Sequence, residues 1–443
     1  MKIKISDNFT LKKILLFSLP CIGMQLVDNT YQLVDGYFIS NYLGEEVFAA
    51  ENMIYPPLVL LMSIGLVIGA GGSAIISSYL GEGKKEEAKQ TLTMLSVFLF
   101  VVSVILSAIS FIFMAAISKI AGATDNTISF CTAYGRILAV FMPAQIMNFA
   151  FQEFLIVADE SKLGLFVSIV NAVTNIILDF LFVGVFGFGL PGAAAATGIA
   201  WCVSGIVAIV YFLNRNHELH FSSFPIHFKD IGLSLTNGSS EMVDGISYAI
   251  VAVIFNRCLV RLLSERGVAA YAVTEYVTGT FYAIFMGFGI AIIPVFGYRL
   301  GEKNFDEVKR LRNMGFKISL AAGGIMAVSS LIFAPICSQI FVGYDTVLKD
   351  MSTLALRICG ISFLIGGFNM FSSSYFTGLS NGLFSAIIAF ARSFVFPIVF
   401  VFLLPYIFGS EAIWYTTLMA EAVTMIITIY LHIIGTKKMM DVD

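Results

Sequence analysis

The sequence predicts an all-α integral membrane protein of twelve transmembrane helices arranged as two pseudo-symmetric six-helix lobes. Three observations carry that prediction: the composition, the spacing of the apolar runs, and a motif that occurs twice. Of 443 residues, 58% are hydrophobic and 12% charged, whereas soluble domains carry about 45–50% apolar and about 25% charged residues. No water-soluble fold of this length hides that much apolar surface. A span takes about 20 apolar residues plus a connection, so the chain accommodates twelve and leaves no room for a large soluble appendage.

The apolar runs place helices near 14–39, 53–79, 92–118, 130–157, 163–186, 191–213, 238–261, 271–297, 313–338, 351–377, 383–405 and 412–435. The first follows basic residues, as a secretory leader would, but continues through Asp28 and Asp35 with no small-residue cleavage site; it reads as a retained span. The one long polar interruption is Asn214–Ile231. It divides the chain into an N-terminal lobe (1–213), a cytoplasmic linker (214–231) and a C-terminal lobe (232–443).

Lys and Arg distribution sets the orientation. With the N-terminus inside, the inner segments hold 18 of the 26 basic residues, from Lys2, Lys12 and Lys13 through Lys84, Arg299 and Arg310 to Lys437 and Lys438. Both termini are therefore expected in the cytoplasm.

The lobes repeat each other. Leu80-Gly-Glu-Gly-Lys-Lys-Glu-Glu-Ala-Lys89 closes helix 2 and Leu300-Gly-Glu-Lys-Asn-Phe-Asp-Glu-Val-Lys309 closes helix 8, aligning Gly81 with Gly301 and Glu82 with Glu302 at an offset of 220. Six helices return the chain to its starting side, so the units run parallel about an axis along the membrane normal. Carriers with alternating access are commonly built from such repeats.

Several function classes are excluded by what is missing. The net charge of −3 and the scattered basic residues give no footprint for nucleic acid. There is no metal-ligand run, nucleophile elbow or catalytic His/Ser grouping, so no enzymatic activity and no cofactor are expected. The six cysteines lie far apart and read as small apolar fillers. The small-residue run Gly65–Gly72 on helix 2 lets helices approach closely, within one chain as readily as between two; a monomer among membrane lipids is expected. His217, His220 and His227 are expected to be solvated in the linker, and His432 to face the cytoplasmic interface.

Ionisable residues inside spans are costly unless paired or wet, so each is a functional hypothesis. Asp35 on helix 1, Asp179 with Asn175 one turn away on helix 5, and Thr197 on helix 6 fall at similar depths from the outer side. Two carboxylates, an amide and a hydroxyl make an oxygen-rich pocket able to hold a proton or a hard cation such as Na⁺. Pro20, inside helix 1, removes a backbone hydrogen bond and permits a bend, which makes it a hinge candidate. Acids, aromatics and one amide near the lobe interface, namely Asp28, Tyr31, Gln152, Glu153, Asp244 and Tyr248, are the substrate-cavity candidates. Asp28 is expected either to add negative charge there or to pair with a basic group such as Arg392. Glu241, Glu275 and Glu421 are further acidic candidates on helices 7, 8 and 12, with a place near a wet helix end as the equal alternative.

These residues together resemble the multidrug and toxic compound extrusion (MATE) family, in its prokaryotic DNA-damage-inducible-F-like branch. The markers are Leu19-Pro20, Val34-Asp35-Gly-Tyr-Phe-Ile-Ser-Asn-Tyr-Leu-Gly44, Asn175-Ile-Ile-Leu-Asp179 and Gly192-Ala-Ala-Ala-Ala-Thr197. The resemblance implies a V-shaped fold and cation-coupled antiport, with H⁺ or Na⁺ driving export of amphipathic, often cationic, small molecules including antibiotics. It also implies that Asp35, Asn175, Asp179 and Thr197 form the cation site and that Pro20 is the bending proline. Another branch uses an acid on helix 7, where Asp244 falls, and one on helix 10, which Ile365-Gly-Gly-Phe-Asn-Met370 does not supply; this favours the N-lobe. Val157-Ala-Asp-Glu-Ser-Lys162 also departs from the family pattern, lacking its Arg and Gly. The alternative within the same superfamily is a lipid-linked oligosaccharide flippase.

Overall fold

Backbone polar groups in lipid must be satisfied within the segment, and the chain meets this requirement with helices alone. A computed structural model describes residues 3–125 and 127–440 and contains no strand among them. Lys2 lies outside the described residues, as do the side chains of Lys437 and Lys438. The first six spans are α1 (Leu11–Leu43), α2 (Glu45–Met62 followed by Ile64–Gly81), α3 (Lys85–Ile120), α4 (Ile128–Val157), α5 (Ser161–Val185) and α6 (Gly189–Leu213). Spans α7 (239–263) and α8 (265–301) form one helical run broken at Ser264. They are followed by α9 (Phe305–Val342), α10 (Thr346–Gly378), α11 (Gly382–Phe408) and α12 (Thr416–Met440, after a 3₁₀ turn).

Most helices outrun their apolar cores by several residues, because polar first turns continue the helix into water. Asn304 caps α9 by accepting the Glu307 N–H at 3.1 Å, and Asp345 caps α10 by accepting those of Val347 and Leu348. Such caps satisfy the orphan donors of a helix start. The linker is corrected in part: Phe228–Asn237 is a helix. Its Asp230 accepts the Tyr79 hydroxyl at 3.2 Å, and its Ser234 hydroxyl donates to the Ile68 carbonyl at 3.3 Å. The linker thus docks along α2.

The duplication is written in the backbone. Of the ten described residues with positive φ, eight form pairs: Gly44 with Ser264, Gly83 with Lys303, Asp159 with Ser380, and Gly189 with Gly409. All are separated by the motif offset or by one residue more. Asn148 donates to the Trp201 carbonyl in one lobe, as Asn369 donates to that of Glu421 in the other. The equivalent spans α3 and α9 both present long exposed apolar faces, such as Phe100–Val104–Ile105 and Leu320–Ile325–Val328, as lipid-facing helices do.

The lobes touch on the side that carries the termini. A Cβ at Gly81 would lie 2.0 Å from the Tyr298 carbonyl oxygen, and one at Gly301 2.0 Å from that of Ser78. This is a reciprocal contact about the pseudo-two-fold axis, and only glycine allows it. Gly297 meets Ala74 and Ser77 in the same seam, and Gly287 meets Cys21 and Ile22 of α1. The segment before α1 seals it further. Arg299 donates to the carbonyls of Ser6 and Asp7 at 3.0 and 2.6 Å, Arg310 to that of Phe9 at 2.7 Å, and the Ile5 N–H to Asp159 at 2.7 Å.

Candidate functional site

Spans α1, α5 and α6 bring the four oxygen-bearing residues to one place. Asp35, Asn175, Asp179 and Thr197 are all buried, Asp179 completely. Because α1 runs on to Leu43, Asp35 lies about 12 Å below its end at 1.5 Å per residue. Thr197 is equally far into α6, which begins at Gly189. The Asn175 amide donates to the Thr197 hydroxyl at 3.2 Å, leaving its own carbonyl oxygen without a donor. The carboxyl groups of Asp35 and Asp179 meet within hydrogen-bonding reach. As carboxylates both only accept, so neither satisfies the other. Asp35 Oδ1 and both oxygens of Asp179 are sealed from solvent, and among the described residues the Asn175 amide is the one donor within reach of Asp179.

Asp179 is the last residue before α5 passes into a π-helical turn, Phe180–Val185. Such turns widen the helix and frequently accompany functional positions. The repeat-related span α11 also has a π turn, at a different register, Ala391–Val395, and it contains Arg392.

A further acid belongs to this group. Glu51 lies on the first segment of α2, in electrostatic range of both Asp35 and Asp179, with its Oε2 buried and undonated. Ending the polar stretch before helix 2 at residue 53 puts Glu51 in a loop, which is why the sequence reading missed it. The signal was its place one turn before Tyr55 on a run that packs, through Phe48, on Gly36 beside Asp35. Tyr31 and Tyr55 are within hydrogen-bonding reach of each other, and Tyr31 of Trp201; Tyr134 is also close. Tyr31 thus lies between the carboxylate site and Asp28.

The remaining cavity candidates fall into separate places. Asp28 is within hydrogen-bonding reach of Ser168 and Gln152, and Gln152 itself donates to Ser168 at 3.2 Å. Glu153 is buried where the lobes meet, against Gly69 of α2 and facing Glu241 of α7. Asp244 accepts a short hydrogen bond from Ser393 and lies 3.8 Å from Arg392. Tyr248 is 67% exposed, on α7 beside Glu275 and Tyr276.

Three expectations are corrected here. Arg392 does not pair with Asp28: its Nε donates to Glu421 at 3.0 Å, and its guanidinium lies over the Tyr282 ring. Glu421 is not wet but buried, taking a second hydrogen bond from Asn369 at 2.7 Å. His432 is buried among Phe316, Phe368, Tyr375 and Phe376, hydrogen-bonded to Ser372, not turned to an interface. The linker histidines are partly ordered, with His217 stacked on Tyr211. All six cysteines are free, and the loop without the family's glycine places Asp159 at φ +61°.

Pro20 is buried within an uninterrupted α1. In the C-lobe a cavity of about 20 Å³, room for one water, is lined by Glu275, Tyr271, Ser362 and Thr417. At the motif offset Thr417 corresponds to Thr197, Glu275 to Tyr55 and Tyr271 to Glu51, so this lobe keeps one acid where the other gathers three.

The chain also resembles known proteins along its length. It is 28% identical over 330 residues to the probable multidrug resistance protein YoeA of Bacillus subtilis, covering 72% of this chain and 71% of that one. It is 23% identical over 413 residues to the multidrug export protein MepA of Staphylococcus saprophyticus, covering 92% and 90%. In fold it matches a crystal structure of MATE in complex with MaL6 at TM-score 0.92, with 20% identity and 98% of each chain covered. It likewise matches the outward-facing conformation of a multidrug resistance MATE family transporter, at TM-score 0.91 and 20% identity over 98% of this chain and 97% of that one. The MatE family model matches twice, at residues 20–181 and 242–403, once in each six-helix repeat, and the chain therefore belongs to the MatE family of multi-pass membrane proteins.

Proposed function

We propose that this protein is a multidrug exporter that carries amphipathic, mainly cationic, small molecules out of the cell in exchange for H⁺ or Na⁺. The observation that carries the reading is the pair Asp35 and Asp179: buried, in reach of each other and, among the described residues, with no basic partner. Two such carboxylates cannot both stay charged in a closed, low-dielectric site, so an entering cation changes the energy of closure. Asn175 and Thr197 supply the neutral oxygens around it. The names of YoeA and MepA support drug export as the work that this energy drives.

Coupling follows if the two ligands favour different states. The cation, entering from outside, favours the form in which the N-lobe site closes and α1 bends at Pro20. Substrate entering from the cytoplasm or inner leaflet favours the other, with Asp28, Gln152, Glu153 and Asp244 along its path. The lobes at 1–213 and 232–443 move as units about the 214–231 linker in one monomer, with both termini cytoplasmic. A flippase for lipid-linked diphosphates needs a basic cavity, and Arg392 is already committed to Glu421 and Asp244.

The test is reconstitution in liposomes with a fluorescent organic cation, under ΔpH and Na⁺ gradients imposed separately. One gradient should drive accumulation, and Asp35→Asn and Asp179→Asn should each abolish it while leaving the protein folded. Accumulation driven by neither gradient, or wild-type coupling in both variants, would refute the reading.

A further inference from the structure

The site holds more negative charge than the Asp35–Asp179 pair alone. We propose that Glu51 is a third coupling carboxylate, and that the site therefore takes up two monovalent cations for each substrate exported. The inference rests on the antiport reading above and specifies its stoichiometry.

Geometry separates the roles of the three acids. Asp35 and Asp179 touch and can share one cation between them, and the residual charge of that pair is spread over a site containing the Thr197 hydroxyl and the tyrosine phenols. Glu51 reaches the same site from a different helix, held there by neighbours on both sides. Phe48, one turn before it, packs on Gly36 of α1, and Ala50 accepts a hydrogen bond from Cys131 of α4 at 3.4 Å. Its Oε2 is sealed in without a donor while the residue as a whole remains half-buried. Among the described residues, no Lys, Arg or His interacts with any of the three. An uncompensated charge on a sealed-in oxygen is unfavourable. One cation on the aspartate pair leaves Glu51 in that condition, and a second removes it.

Two cations exchanged for one singly charged substrate make transport electrogenic and square the effect of the gradient. In proteoliposomes clamped at zero potential with K⁺ and valinomycin, a tenfold gradient of the driving cation should sustain an ethidium ratio of about 100-fold, against about 10-fold for one-for-one exchange. Glu51→Gln should lower the ratio to about 10-fold and abolish the acceleration of lumenal accumulation by an inside-positive potential, while Asp35→Asn should show no accumulation at all. Should Glu51→Gln fail to transport, Glu51→Asp keeps the charge and should hold the higher ratio. A wild-type ratio near 10-fold, a Glu51→Gln ratio unchanged from wild type, or a Glu51→Asp ratio near 10-fold would overturn the proposal and leave antiport intact. Wild-type protein that accumulates ethidium under neither ion gradient would remove the antiport reading and this inference with it.

Discussion

Ser264 turns the chain between α7 and α8 at φ +61°, ψ −168°, a region that L-residues occupy at a cost of about 1–3 kcal/mol. Its repeat partner Gly44 makes the same turn at φ +88° without a Cβ to object. Ser264→Gly should therefore raise stability by about 1 kcal/mol once the added freedom of the unfolded chain is offset, seen as a higher Tm in detergent; an unchanged or lower Tm would count against the strain. Arg392 presents the opposite case, a cation anchored between Glu421 and Asp244. Arg392→Leu leaves Glu421 buried with no countercharge, and losing one partner of a buried pair costs about 3–5 kcal/mol. Adding Glu421→Gln should recover much of that loss, and a double variant no more stable than the single one would show that the pair is not the cause. The sequence exposed most of these ionisable residues simply because they stand out from lipid-like neighbours. It did not expose partners: which acid faces Arg392, or that Glu51 joins Asp35, depends on helix rotation, and one residue of rotation is about 100°.

Among the helices, what was legible followed from periodicity and length. All twelve spans could be read from apolar runs, since about 20 such residues have few other uses. Their ends could not, because polar turns such as Lys85-Glu86-Glu87 continue a helix into water, and the docked linker helix Phe228–Asn237 is too short and mixed to stand out. The π turns beside Asp179 and around Arg392 also left no mark, as one extra residue per turn changes no composition. The repeated Gly81 and Gly301 were visible as a motif, but their reason is structural: each lets α2 and α8 meet backbone to backbone. Gly301→Ala drives a Cβ against the Ser78 carbonyl, which cannot swing away, and overpacking of this kind costs about 1–3 kcal/mol. Gly279, on the same helix, has open space where a Cβ would go, so Gly279→Ala should be neutral or stabilising by up to about 1 kcal/mol. Melting temperatures of the two variants side by side make the comparison, and equal effects would mean that the seam is looser than its glycines imply.

At the scale of the molecule, the proposed alternating access requires the seam on the terminus side to part. Three sets of contacts hold it: the reciprocal glycines, the linker helix on α2, and the segment before α1. That segment spans both lobes, since Ile5 binds Asp159 of the N-lobe while Arg299 and Arg310 of the C-lobe hold the carbonyls of Ser6, Asp7 and Phe9. Ile5 and Phe9 are also buried, so the segment adds apolar closure to its hydrogen bonds. Deleting residues 3–9 removes contacts made in the closed seam and leaves both lobes whole, so the open form should gain population rather than the fold being lost. A shift of one or two kcal/mol is a factor of about 5–30 in such an equilibrium. Ser77 reports on it, being fully buried against Gly297 inside the seam. In a background lacking the six native cysteines, Ser77→Cys should react slowly with a water-soluble maleimide, and about 5–30 times faster once the segment is removed. Equal rates in the two backgrounds would mean that the glycine seam alone sets the closure and that the segment merely rests on it.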